Sequence, residues 1–77
     1  MILNIKYFGL LTEMTGRSKE SLLFSGGSIG DLISVLEENY PMLSDQDFQI
    51  AQNNTIVNKH EVVTGEEIAL LPPFSGG

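Results

Sequence analysis

The sequence has no cysteine, no tryptophan, a single histidine and only four basic residues. Each shortage closes off a class of function. Without cysteine there is no disulfide staple, no thiol nucleophile and no thiolate metal site. Small secreted domains usually rely on such staples, so their absence favours an intracellular, cytoplasmic setting. His60 alone is too little for a histidine-based metal site, and no resident metal or bound cofactor is expected. Ten acidic residues against four basic ones give a net charge of −6. A basic face for nucleic acid is therefore not expected; acidity of this order either steers the chain towards basic partners or serves only solubility, two readings of equal weight. No apolar run is long enough to span a bilayer. The opening Met1-Ile2-Leu3-Asn4-Ile5-Lys6 lacks the apolar core and small-residue cleavage site of a signal peptide.

What is present fits one domain, residues 1–77, because 77 residues support a single small core. Hydrophobic residues make up 42% and charged residues 18%, an ordinary globular balance. Ile2 to Phe8 reads as a strand: Leu3, Ile5 and Tyr7 share one face, Asn4 and Lys6 the other. Ile2 and Phe8 fall on the polar face, which predicts an exposed Phe8. Leu10 to Thr15 forms a short helix ending at Gly16, with Leu10, Leu11 and Met14 turned to the core. Lys19 to Phe24 is a second strand, making a hairpin with the first.

The segment from Ile29 to Asn39 is the clearest helix. Ile29, Leu32, Ile33 and Leu36 fall at i, i+3, i+4 and i+7 on one face. Ser28 and Asp31 form a capping pair at its start, and Pro41 ends it. Met42 to Asp47 reads as loop. Phe48 to Gln52 and Thr55 to Val57 read as strands joined at Asn53-Asn54, a pair that tolerates positive φ. Asn58 to Thr64 is a connection, and Gly65 marks a turn. Ile68 to Leu71 suits a buried strand. The order is strand, short helix, strand, long helix, then three strands. This predicts an α+β fold with one main helix packed on a mixed sheet.

Chemistry concentrates in the tail, residues 72–77. Pro72-Pro73 stiffens the exit from the last strand, and Gly76-Gly77 closes the chain. Without side chains, the two glycines can thread a narrow channel in a partner. The Gly77 carboxylate is unhindered, so an enzyme using ATP could adenylate it and open it to a sulfur nucleophile. Other candidates read more plainly as surface. Glu66 and Glu67 are adjacent and would not converge on a strand. His60 beside Glu61 has no nucleophile near it in sequence. Gly26-Gly27 lacks the lysine and hydroxyl of a phosphate-binding loop.

Three groups of residues carry a resemblance: Asn53-Asn54-Thr55-Ile56-Val57, Thr64-Gly65-Glu66-Glu67-Ile68-Ala69 and Pro72-Pro73-Phe74-Ser75-Gly76-Gly77. With Lys6-Tyr7-Phe8-Gly9, Glu13 and Gly16 near the start, they resemble the molybdopterin synthase small subunit, the MoaD family. The resemblance runs over essentially the whole chain and is least specific from Arg17 to Gln49. It implies a ubiquitin-like β-grasp fold and a sulfur carrier with no catalytic side chains of its own. A ubiquitin-activating-type adenylyltransferase would adenylate Gly77, and sulfur would then be installed as a thiocarboxylate. The tail would enter the large catalytic subunit of molybdopterin synthase and deliver sulfur to a pterin precursor, with Gly76 permitting close passage. The family's partner-facing apolar positions fall on Phe8, Ile56, Leu71 and Phe74. For Ile56 and Leu71 core packing is an equal alternative. Many relatives carry a basic residue where Thr12 stands, so a polar contact there is not expected. Sulfur carriage for thiamine or cysteine synthesis, a ubiquitin-like protein modifier and an inert β-grasp interaction module stand as alternatives.

Overall fold

Alternation along the first strand is reproduced residue by residue in the computed structural model, which describes residues 1–65 and 67–73. In β1 (Ile2–Tyr7), Leu3, Ile5 and Tyr7 are buried while Ile2, Asn4 and Lys6 face out. A short helix α1 (Leu10–Thr15) follows, then β2 (Lys19–Leu23), the main helix α2 (Ile29–Asn39) and a 3-10 turn over Pro41–Asp45. Three strands complete the chain: β3 (Gln49–Gln52), β4 (Thr55–Val57) and β5 (Glu67–Leu71). The sheet order is β2-β1-β5-β3-β4. β5 runs parallel to β1, and every other pairing is antiparallel. The last strand is thus inserted at the centre of the sheet, between β1 and β3.

The main helix begins where its cap dictates. The Ser28 hydroxyl accepts from the Asp31 N–H at 3.2 Å, and the Asp31 carboxylate accepts from the Ser28 N–H at 3.0 Å. Two helix-end donors are thereby satisfied locally. Ile29, Leu32 and Leu36 are buried against one face of the sheet, with Ile33 packed beside them. Leu3, Ile5, Ile50, Ile68 and Leu70 meet them from the sheet. Each such side chain contributes about 1.5–3 kcal/mol through burial. Asn53 and Asn54 take φ of 53° and 68°, as the tight turn between β3 and β4 requires.

Three expectations change. Leu10 is 55% exposed and does not join the core. In a two-turn helix Leu11 and Thr15, four apart, share the inward face, with Met14 at its flank. The stretch from Met42 to Asp47 is not wholly loop, because the 3-10 turn occupies most of it and buries Leu43 completely. The connection from Asn58 to Thr64 also supplies a core residue, Val63. That connection is pinned by buried Gln52. Its amide nitrogen donates to the Val62 carbonyl at 3.1 Å, and its amide oxygen accepts from the Thr64 N–H at 2.9 Å.

Candidate docking face and tail exit

With α2 covering one face of the sheet, the other carries side chains that no element of the described residues overlies. Register defines its layout. Lys19 pairs with Lys6, Lys6 with Ala69, Ala69 with Ala51, and Ala51 with Ile56. These five residues form one row across all five strands. The floor is low at Ala51 and Ala69, and a depression of about 110 Å³ opens there beside Phe8 and Asn54. Ile56 borders this floor from the edge strand and is 52% exposed.

Phe8 continues β1 on the outward parity and is 45% exposed. Its N–H donates to the Leu70 carbonyl at 3.1 Å, which ties it to β5. Leu71 stands one step beyond the Tyr7–Leu70 pair, opposite Gln49, and is half-buried. Phe8, Leu71 and Ile56 thus share the helix-free face around two alanines. Large apolar side chains left together on an open face mark an interaction surface more often than scattered ones do. Phe74, Gly76 and Gly77 lie outside the described residues.

The exit from β5 is shaped by Gly9. This residue takes φ 60° and ψ −138°, a backbone region open essentially to glycine. A Cβ there would stand 3.1 Å from Cγ of Pro72. Gly9 therefore lets the first tail proline pass close against the turn between β1 and α1.

The densest polar cluster lies on the opposite side. The hydroxyls of Tyr7 and Tyr40 both donate to Oε2 of Glu20, Tyr40 at 2.8 Å. Arg17 approaches the other Glu20 oxygen at 3.5 Å, and the two rings meet edge to face. Burial first, then the Glu20 carboxylate, push both phenols up from their ordinary value, Tyr7 far above it. The cluster ties β1 and β2 to the end of α2 and leaves no free nucleophile or base. His60 is exposed in the connection before β5. Among the described residues no group of acidic or histidine side chains is placed to hold a metal ion, and no helix is long and apolar enough to cross a membrane.

A family model for the ThiS family matches residues 5–77. The chain belongs to the ThiS family. It is 33% identical to the molybdopterin synthase sulfur carrier subunit of Mycobacterium tuberculosis, over 96% of this chain and 95% of that one. Among solved structures, a Pyrococcus furiosus protein provisionally named molybdopterin converting factor subunit 1 superposes with a TM-score of 0.86 at 21% identity, covering 96% and 99% of the two chains. Small archaeal modifier protein 1 of Haloferax volcanii gives 0.78 at 22%, covering 95% and 98%. The complex of molybdopterin-converting factor subunits 1 and 2 from Helicobacter pylori gives 0.67 at 22%, over the full length of both chains. At these identities the structural likeness establishes the ubiquitin-like β-grasp fold of the family member and nothing finer.

The sequence pointed to Phe8 through its parity on β1. It did not single out Ala51, Ala69, Lys6 and Lys19 as neighbours. Parity turns Lys6 outward, but only the long-range strand register brings the four into one row.

Proposed function

We propose that the chain is the sulfur carrier subunit of a molybdopterin synthase, acting in the cytoplasm. The observation that carries this reading is the junction of a fixed central strand, an exposed apolar face and a Gly-Gly tail. β5 is hydrogen-bonded on both sides and runs straight into Pro72-Pro73 beside Phe8 and Leu71. The 33% identity to a curated carrier of that name supports the choice of pathway.

The chemistry needs only the terminal carboxylate. A Gly77 oxygen attacks the α-phosphorus of ATP on an adenylyltransferase, pyrophosphate leaves, and an acyl-adenylate forms. A hydrosulfide equivalent then attacks the acyl carbon and expels AMP, leaving the thiocarboxylate. In the large catalytic subunit the thiocarboxylate sulfur attacks the pterin precursor, and water then hydrolyses the acyl–sulfur bond, leaving the sulfur on the pterin and regenerating the Gly77 carboxylate. Phe8, Ile56, Leu71 and Phe74 are the apolar contacts to the large subunit. On this reading the chain contributes no general acid or base of its own to the transfer and turns nothing over alone.

The test is the intact mass of the protein co-expressed with its activating enzyme and a sulfur donor. A species with one oxygen replaced by sulfur, localised to Gly77, is the expected result. If that species is absent, the carrier reading fails. Isopeptide-linked conjugates in its place would establish the modifier reading.

A further inference from the structure

The net charge of −6 suggests a basic partner, yet the proposed docking face carries the opposite sign. Of the four basic residues, two stand on it as direct cross-strand neighbours, Lys6 and Lys19. Like charges placed opposite each other in an antiparallel pair repel. Among the described residues the one ion pair is Arg17–Glu20, so neither lysine is paired there. They border a shallow depression of about 450 Å³ together with Asn4, Ser21, Glu67 and Glu20, whose carboxylate is already engaged by Tyr7, Tyr40 and Arg17. Glu67 is the only carboxylate at an outward position of the described strands.

Geometry prevents a partner from covering the apolar half alone. Strands lie about 4.8 Å apart, so the row from Ile56 to Lys19 spans roughly 19 Å. A standard interface of about 800 Å² per partner is about 30 Å across and takes in the whole row. Lys6 stands directly beside Ala69 in the parallel ladder, at the centre of the apolar floor. Against two adjacent ammonium groups the single outward carboxylate of Glu67 leaves at least one positive charge uncompensated, and covering it with apolar surface is costly.

We propose that the large subunit presents at least one carboxylate side chain to Lys6 and Lys19, set beside the apolar surface that meets Phe8 and Ile56. This rests on the carrier reading and adds to it the local charge of the partner. A second copy of this chain docked by the same face does not fit, because it would bring lysine to lysine or lysine to apolar surface. Nucleic acid does not fit an acidic chain with two isolated lysines.

The experiment is a calorimetric titration of the large subunit with wild type, Lys6→Gln, Lys19→Gln and Lys59→Gln, at low and at high salt. Lys59 is the control, since it lies outside the row. Lys6→Gln and Lys19→Gln are each expected to weaken binding about tenfold at low salt, about 1.4 kcal/mol, and less at high salt. Lys59→Gln is expected to leave it unchanged or tighten it slightly. Thermal melts check that the variants fold, and relief of the lysine repulsion should leave them no less stable. If wild type binds and the two variants bind equally well or more tightly, the partner face is neutral or basic and the proposal is overturned. If wild type does not bind the large subunit at all, the carrier reading fails and the proposal with it.

Discussion

Replacing Gly9 by alanine probes the link between backbone geometry and the tail. Two costs arise at one atom. At φ 60° and ψ −138° a Cβ collides with its own backbone, and such strain is of order 1–3 kcal/mol. The same Cβ would stand 3.1 Å from Pro72 Cγ, so the proline must shift by a few tenths of an ångström or the turn must open. Neither adjustment is free, because Gly9 lies between Phe8, tied to the Leu70 carbonyl, and Thr12, whose N–H bonds the Gly9 carbonyl at 3.1 Å. A loss of about 2 kcal/mol in a domain of this size lowers the melting temperature by roughly 8–16 °C. Gly16→Ala is the matched control. Gly16 is also left-handed, at φ 77° and ψ 14°, but nothing lies within 4 Å of its would-be Cβ. Only the intrinsic left-handed cost applies there, about 1 kcal/mol. The assays are thermal unfolding followed by circular dichroism and the rate of thiocarboxylate formation at a temperature where both variants are folded. Gly9→Ala should lose more on both, since only it disturbs Pro72. A Gly9→Ala protein that melts with wild type, or matches Gly16→Ala in rate, would refute the argument.

Two further outcomes follow from the layout of the two faces. Phe8→Thr and Ile56→Thr keep strand-compatible side chains at exposed positions, so each should change stability by about 0.5 kcal/mol or less. If these residues anchor the partner, each should weaken large-subunit binding at least tenfold, about 1.4 kcal/mol, by calorimetry. A variant that unfolds without a change in intrinsic affinity would place that residue in the core account instead. On the helix side, the raised Tyr7 and Tyr40 phenols make stability depend on alkaline pH. Below the ordinary tyrosine value of 10.0 both states hold the protons and their contribution is constant. Above it the unfolded chain loses protons that the folded chain retains, so stability falls as pH rises. Denaturant midpoints measured upward from neutral pH should decline from about pH 10, and less steeply in Tyr7→Phe. A flat profile there would contradict the buried Tyr7–Glu20–Tyr40 arrangement.

Legibility in the sequence followed the range of the interaction that decides each feature. The main helix could be read to the residue because its cap, apolar period and stop all lie within a few positions. The Asn53-Asn54 turn was readable for the same reason. Leu10 was misplaced because two helical turns offer too few residues to separate adjacent faces. Leu43 and Val63 were overlooked because a single apolar residue in an irregular segment has no period. Their burial depends on tertiary placement: the turn that carries Leu43 folds back on the neighbouring α2 and meets the distant α1, and Val63 sits in the Gln52-pinned connection. Among the candidate site residues, Phe8 was legible from alternation alone. The balance between core and interface at Ile56 and Leu71 needed the sheet order. An edge strand leaves Ile56 open, while a central strand half-covers Leu71.

The central position of β5 also sets the terms on which a tail can act. Ladders to β1 and β3 hold Leu70 from both sides, and β3 also holds Leu71, so the tail starts from a fixed point in the sheet. Four residues follow Pro73, and fully extended they span at most about 14 Å. If Gly77 carries the reactive carboxylate, as the carrier proposal has it, so short a tether reaches only a site that opens close to the Phe8 and Leu71 end of the sheet. On the carrier reading, docking of the face and delivery of the sulfur are therefore one event. The partner must seat the sheet in a particular orientation for Gly77 to arrive at all. An edge strand in place of β5 would have given the same glycines a looser origin and a wider, less selective reach.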